Sequence, residues 1–433
     1  MIQSIKDKNI LLAGYDFEQK YHRGITSFSK VLLKVLNDQG AHCKVTLSAP
    51  FNTESYLQEL FILSKVNNPL EFKISQKRRL YYLLSNIVDF RKRDKIIRFN
   101  YSDLRHERVS YLRYAQAIYN YPHLYDILNT HTKLFNGSLS LNTKDSDFLF
   151  TTSPISLRPS RSSTALVQVL HDVIPLVTFF HPGGKWEAIS FSNRVKNMIK
   201  YSDTILSVSE FSKQEVLRLF PSAEAEKKIK VIHQPIPVYD EVLLEVENAE
   251  VQRSVLNTFK LNSSEYLFFI GFLETRKNIE KMINAFLALH HKLKIPLVLA
   301  GEIDPENETI KKLIKSNNVM FLGTVTNVEK FVLMKHARAF LFPSFYEGFG
   351  IPPLEAMKMG CPVLTSNQSS IPEVCGDAAL YVDPFSTGSL IEGMYEICTN
   401  ETLRSNLIKK GYERIKLFTQ EIFAEKINKG LFS

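Results

Sequence analysis

From residue 266 onward, short uninterrupted apolar runs alternate with segments whose apolar residues recur at helical spacing. YLFFIG (266–271) reads as a buried strand, NIEKMINAFLALHHKL (278–293) as an amphipathic helix and PLVLAG (296–301) as the next strand. ETIKKLIKS (308–316), VEKFVLMKHA (328–337) and PPLEAMKMG (352–360) continue the helices, and VMFLG (319–323), AFLFPS (339–344) and PVLTS (362–366) the strands. Apolar strands separated by helices predict a parallel sheet covered on both faces, with a ligand site beyond the strands' carboxyl ends.

The first half follows the same pattern less regularly. Strands are expected at NILLAG (9–14), HCKVTLS (42–48), DFLFTT (147–152), ALVQVLHD (165–172), TILSVS (204–209) and KVIHQP (230–235). The interval 51–146 is too long for a simple crossover and is expected to hold helices, among them a Tyr-rich stretch around 111–125. Pro235 and Pro237, followed by an acidic segment, mark the change of domain. The expectation is two Rossmann-like, doubly wound α/β domains, 1–238 and 239–433, facing across a cleft, with a helical C-terminal segment (402–432) able to cross back.

Composition narrows the class. A chain of 433 residues, 44% hydrophobic with 30 Phe and 18 Tyr, has core material for two large domains and does not read as disordered. Its longest apolar runs, such as LVTFF (176–180), fall short of a bilayer span, and the first run (9–13) is too brief for an export signal. Four dispersed cysteines, Cys43, Cys361, Cys375 and Cys398, show neither a disulfide framework nor metal-ligand spacing, so a cytoplasmic location is expected.

Charge is uneven. Residues 1–235 carry 33 Lys plus Arg against 21 Asp plus Glu, and the remainder 21 against 24. Within the basic half, residues 73–98 hold nine basic and two acidic residues interleaved with Leu, Tyr, Ile and Phe. That mixture suits peripheral contact with an anionic membrane and equally an ordinary solvated helical face; no zinc-finger spacing or RNA-recognition signature points to nucleic acid.

Candidate chemistry clusters after the expected strands. In GFLETRKN (271–278), Gly271 permits close backbone approach, and Arg276 and Lys277 stand just before a helix N-terminus, a favourable place for a diphosphate. The P-loop spacing is absent. In FPSFYEGFGIPPLEAMKMG (342–360), Glu347 and the turn Gly348, Phe349, Gly350 follow a strand, and Glu355 is expected on the first turn of a helix beginning near Pro352. These carboxylates suit polyol hydroxyls, one of a sugar and one of a ribose; alternatively Glu347 caps the helix and Glu355 is solvated. His171, in HDVIPL (171–176), is placed either to donate a hydrogen bond to a ligand hydroxyl or to sit in the core. Gly24, in YHRGIT (21–26), introduces a helix after the first strand, and Ser209 and Glu210 read as a helix start.

HDVIPL, SVSEFS, GFLETRKNIEKMINAF, FLGTV, FPSFYEGFGIPPLEAMKMGCPVLTS and IPEVCGDAALYVDP together resemble the retaining glycosyltransferases of family 4, which adopt the GT-B fold. The likeness covers nearly all of residues 165–400 and thins to the RGI element before that. It implies that Arg276 and Lys277 bind the donor diphosphate, Glu347 the transferred sugar, Glu355 the ribose and His171 the sugar's outer hydroxyl. The base is expected near Gly323, Thr324 and Val325, with the backbone at Gly271, Gly348, Phe349 and Gly350 approaching the donor. Where the family has a Gly-Gly pair, this chain has Arg23 and Gly24, so Gly24 alone is carried over. The implied activity is transfer of a hexose, with anomeric retention, from a nucleotide diphosphate sugar to a saccharide or lipid-linked acceptor. Likeness to bacterial mannosyl- and rhamnosyltransferases of polysaccharide assembly makes GDP-mannose the expected donor. No cofactor is expected and, with no Asp-x-Asp pair at a strand end, no metal. A nucleotide-sugar epimerase or hydrolase on the same scaffold, and a non-catalytic sugar-nucleotide-binding subunit, are the competing readings.

Overall fold

Fully apolar runs bury both faces of a strand, so they demand sheets sandwiched between helices, and the chain forms two such sheets. The structure, a computed structural model, describes residues 4–18, 24–48, 96–97, 110–121, 124–177, 184–237 and 240–432. The basic segment 73–98 lies outside the described residues except for Ile96–Ile97. Contacts divide the chain into one unit of Met1–Pro235 with Gln420–Ser433 and a second of Ile236–Thr419. Of the helical C-terminal segment, Gln420–Phe432 therefore belongs to the first unit and Glu401–Ile415 to the second.

In the first unit the strands are β1 (Asn9–Ala13), β2 (His42–Leu47), β3 (Ile96–Ile97), β4 (Ala117–Asn120), β5 (Leu139–Leu141), β6 (Phe148–Thr151), β7 (Leu157–Pro159), β8 (Ala165–Leu170), β9 (Thr204–Ser207) and β10 (Ile229–Val231). The main sheet runs β10-β9-β8-β6-β1-β2-β4-β3, parallel except for the β3–β4 pair, and β5 and β7 form a small parallel sheet of their own. Ile10 stands opposite Cys43 on one side and Phe148 on the other, so β1 is central and strand order reverses between β1 and β6. Ligands of open α/β sheets bind beyond the carboxyl ends at such a reversal. Leu11, Leu149, Leu166, Leu141 and Tyr121 form one continuous core there. The Tyr-rich stretch departs from the helical expectation. It opens on a 3-10 helix, Ser110–Tyr114, and then forms β4, whose Ile118 is buried while the strand pairs with β2; an α-helix follows only from Leu124 to Phe135. Sheet pairing overrides a run whose aromatic spacing is compatible with a helix.

The second unit carries β11 (Leu267–Ile270), β12 (Leu297–Ala300), β13 (Val319–Phe321), β14 (Ala339–Phe342), β15 (Val363–Ser366) and β16 (Leu380–Val382) in the all-parallel order β13-β12-β11-β14-β15-β16. β11, β12, β14 and β15 are the expected apolar runs, with Phe268, Phe269, Phe340 and Phe342 fully buried. Here strand order reverses between β11 and β14. The helix Ile279–Leu293 follows β11 and buries Met282, Ile283 and Phe286. Among the described residues no helix is long and apolar enough to cross a membrane.

Candidate active site

The carboxyl ends of β11, β12 and β13 each run into a glycine with positive φ: Gly271, Gly301 and Gly323. Gly271 donates its N–H to Ala300 O at 3.1 Å and Gly301 to Gly323 O at 2.7 Å, so the three turns lie edge to edge. At Gly301, φ is 123° and a Cβ would overlap the Gly271 carbonyl oxygen, so no other residue fits there without displacing backbone. This row leaves backbone, not side chains, at the rim of that half of the sheet.

After Gly271 the chain makes a short 3-10 turn, Thr275–Lys277, and enters its helix through Asn278 in the left-handed region. Asn278 is buried and donates from Nδ2 to Pro343 O (3.0 Å) and Pro384 O (2.9 Å), fastening this turn to the segments after β14 and β16. Phe345 N donates to Arg276 O at 2.9 Å, and Arg276 Nη1 to Tyr346 O at 2.8 Å. The turn is thereby held against the loop that carries Glu347.

The consequence is a buried charged triad at the reversal between β11 and β14. The Glu347 carboxylate accepts from Lys277 Nζ at 2.6 Å and faces Arg276 Nη1 at 3.1 Å; Arg276 also pairs with Glu274 at 2.5 Å. Lys277 Nζ stands 4.6 Å from the centroid of the Phe342 ring. Burial works to raise the Glu347 carboxyl, but the charges of Lys277 and Arg276 outweigh it and hold the group below the ordinary carboxylate range. Burial pushes the Lys277 ammonium below its usual range, with Glu347 opposing that shift. Serines after β15 fix the acid's backbone: Glu347 N donates to Ser369 Oγ (3.0 Å), and Ser370 Oγ donates to the carbonyls of Glu347 and Phe349 (2.9 Å each). Glu347 thus neither caps the following helix nor faces solvent. That helix, Ile351–Lys358, is entered through Gly350 at φ 98° with no side-chain cap.

Glu355 is the fifth residue of this helix and not on its first turn, because the helix begins at Ile351. It is buried and accepts from Lys330 Nζ at 2.8 Å, which excludes the solvated alternative. Lys330 belongs to the helix Asn327–His336, whose N-terminus is fixed by a capping box between Thr326 and Glu329. That helix follows the loop of Gly323, Thr324 and Val325, of which Thr324 is exposed and the other two half-buried. The side chain of Phe349 is turned into the core. Its ring is buried edge-on against Phe418 at 5.8 Å, which leaves Gly348, Phe349 and Gly350 to meet a ligand through backbone.

Gly24 and His171 lie in the first unit. Gly24 opens the helix Gly24–Asp38 with open space where a Cβ would stand. His171 follows β8, is buried, and donates from Nε2 to Thr152 O at 2.8 Å, with the Phe28 ring edge-on at 4.8 Å. Burial lowers its pKa to about 4, so the ring is neutral. A carbonyl can only accept, so the proton sits on Nε2 and Nδ1 is an acceptor. The Nε2–H of His171 is thus spent on Thr152 and not offered to a ligand, as the alternative of a buried core imidazole has it, and Nδ1 can only accept. Arg276, Lys277 and Glu347 are brought together; Glu355 stands apart in its own pair. Glu274, Asn278, Gly301, Lys330, Ser369 and Ser370 were not anticipated from sequence, although Gly301 ends an apolar run in the same way as Gly271 and Gly323.

Residues 257–414 match the family described as glycosyl transferases group 1. This stretch of the chain is similar to that family. All three residues of the buried triad fall inside it. The chain is 32% identical over 229 residues to O-antigen chain mannosyltransferase B of Escherichia coli, covering 50% of this chain and 57% of that protein. It is 30% identical over 249 residues to the serotype-specific mannosyltransferase WbdA of the same species, covering 56% and 30%. The chain thus spans less than two thirds of the length of these relatives. A solved structure of Anabaena Alr3699/HepE in complex with UDP and glucose superposes with a TM-score of 0.62 at 15% identity, over 98% of this chain and 99% of that one. At that identity the likeness is one of fold, and the two α/β units are of the GT-B type.

Proposed function

We propose that this protein transfers a hexose, mannose in our reading, from a nucleotide diphosphate sugar to a hydroxyl of a saccharide or lipid-linked saccharide, with retention of anomeric configuration. The observation that carries this reading is the Arg276–Lys277–Glu347 triad at the strand reversal of the stretch similar to glycosyl transferases group 1. Two cations already held together at a backbone rim are suited to the charge that develops on a departing diphosphate. Glu347, ionised between them, is suited to hold the hydroxyls of the transferred sugar. Glu355, held by Lys330, is suited to the ribose, with the base near Gly323, Thr324 and Val325. We favour a front-face route in which the leaving diphosphate helps to take the proton of the incoming hydroxyl. Mannose and a GDP carrier are favoured by the likeness to mannosyltransferases. Peripheral contact with the membrane through residues 73–98 is part of the proposal, and would keep the protein beside a lipid-linked acceptor.

The test is incubation with GDP-[14C]mannose, with and without a lipid-linked mannan-type acceptor. Acceptor-dependent labelled product, with an α-linkage by NMR, supports the reading. Release of free mannose without acceptor assigns a hydrolase, and binding without turnover a non-catalytic subunit. Selective stabilisation by UDP or dTDP over GDP overturns the choice of base. Cosedimentation with anionic liposomes that is unchanged when Arg78, Arg79, Arg91 and Arg93 become Glu removes the membrane segment from the account.

A further inference from the structure

The first unit holds a buried carboxylate with no role in the reading above. Asp16 lies in the 3-10 turn Tyr15–Glu18 just after β1 and is 4% exposed. Its Oδ2 accepts from the Thr152 hydroxyl, which follows β6, and from the Ser29 hydroxyl at 3.4 Å on the helix Gly24–Asp38. The backbone carbonyl of the same Thr152 is the acceptor for His171 Nε2, which follows β8. β8, β6 and β1 are consecutive neighbours in the sheet, so Asp16, Thr152 and His171 stand side by side beyond three adjoining carboxyl ends, at the point where strand order reverses.

The space for this line is kept by a glycine. A Cβ at Gly14 would overlap Thr152 Oγ1 and displace the hydroxyl from Asp16. Thr152 has a backbone tether to the same strand, donating its N–H to Ala13 O at 3.2 Å. Its neighbour Thr151 donates from Oγ1 to Ser153 O at 2.9 Å. Thr152 is thus held through its N–H, through its hydroxyl on a buried carboxylate and through the Thr151–Ser153 bond beside it, and its carbonyl accepts from the imidazole. Ser212 Oγ donates to the His171 carbonyl at 2.8 Å, so the histidine is fixed from its backbone side as well.

We infer that Asp16, acting through Thr152, is a positioning residue that locks His171 in the Nε2–H form with Nδ1 presented as an acceptor for a substrate hydroxyl. The inference rests on the reading of His171 as a sugar-contacting group in a glycosyltransferase. The chemistry it specifies is a hydroxyl donor, as in a sugar, and not an anion or a metal. Asp16 serves through an oxygen acceptor, so Asp16→Asn retains the function while Asp16→Ala loses it.

The experiment uses the full chain with 15N-labelled histidine, the His171 signals being assigned by their loss in His171→Gln. Wild type is expected to show His171 as a single Nε2–H tautomer. Thr152→Val, which removes the hydroxyl but keeps shape and carbonyl, and Gly14→Ala are expected to give a mixed tautomer. Both should lower kcat for transfer about 10- to 100-fold, with GDP affinity unchanged. Thr152→Ser and Asp16→Asn should keep the wild-type signal and rate. A wild-type Nδ1–H tautomer, or an unaltered His171 signal in Thr152→Val, overturns the inference. Should the wild type transfer no sugar, the proposed function fails, while the tautomer measurement still judges the Asp16–Thr152–His171 line. If Asp16→Ala does not fold, the isosteric Thr152→Val decides.

Discussion

Replacing Asp16 by Asn should make the first unit more stable, and only above a defined pH. Burial raises the Asp16 carboxyl from 3.8 to about 6, while hydrogen bonds from Thr152 and Ser29 work against that shift. A carboxyl whose folded value lies above its unfolded one binds more protons in the folded state between the two values. Stability therefore falls as pH rises from 3.8 to about 6 and is level on either side of that window. At 1.36 kcal/mol for each pKa unit, the ionised group costs about 3 kcal/mol at neutral pH. Asn keeps an oxygen in the place of Oδ2 for both hydroxyls and cannot ionise. The gain expected is about 1–3 kcal/mol above pH 6 and close to nothing below pH 4. Unfolding in urea is followed by circular dichroism. Paired urea titrations of wild type and variant at a series of pH values would cancel every other titrating group. A difference that does not change with pH, or a variant less stable than wild type at neutral pH, would refute the reasoning.

Lys277→Ala is expected to lower sugar transfer about 100-fold. Arg276 keeps Glu347 paired at 3.1 Å, so the melting temperature should move much less than the rate, as parallel assay and calorimetry would show. Glu347→Gln leaves two buried cations without their shared anion and should destabilise the second unit by about 3 kcal/mol in chemical unfolding near neutral pH. Because the Glu347 carboxyl is held below its ordinary 4.5, its contribution is present above that value and lost as pH falls through the folded value. The gap between wild type and Glu347→Gln should therefore close on acidification. Gly301→Ala combines a φ of 123° with overlap onto the Gly271 carbonyl oxygen, and is expected to cost about 3 kcal/mol, read as a lower melting temperature by circular dichroism.

The second unit was legible in the sequence because its strands are buried on both faces. YLFFIG, PLVLAG and AFLFPS admit no polar residue within the strand and PVLTS buries its Thr365 and Ser366, whereas β16 is three residues long and two of the three are only partly buried, leaving no comparable signal. β4 was hidden because Ile118 and its neighbours sit among tyrosines that fit a helix equally well. The residue types at the site were legible as well; their pairings were not. Nothing in the spacing of 276, 277 and 347 says that the acid lies between the two cations, since that contact depends on the reversal of strand order between β11 and β14. Asp16 carried no motif. Its meaning comes from Thr152, 136 positions away, and from the absence of a side chain at Gly14.

The helix Gln420–Phe432 has a consequence for the order in which the protein is made. Its Phe423 packs edge-on against Phe28, its Phe432 against Phe148, and Asn428 accepts from Ile5 N at 3.0 Å, so the first unit waits for a helix that follows the second unit in sequence. On the ribosome, N-terminal domains ordinarily fold first. Here the second unit, contiguous from Ile236 to Thr419, is complete in sequence while the first still lacks its closing helix. During synthesis the apolar surface around Phe28 and Phe148 is open throughout translation of everything between. The unit begun first is the one finished last, and it is that surface, not the sheet of the second unit, that a nascent-chain chaperone would have to cover.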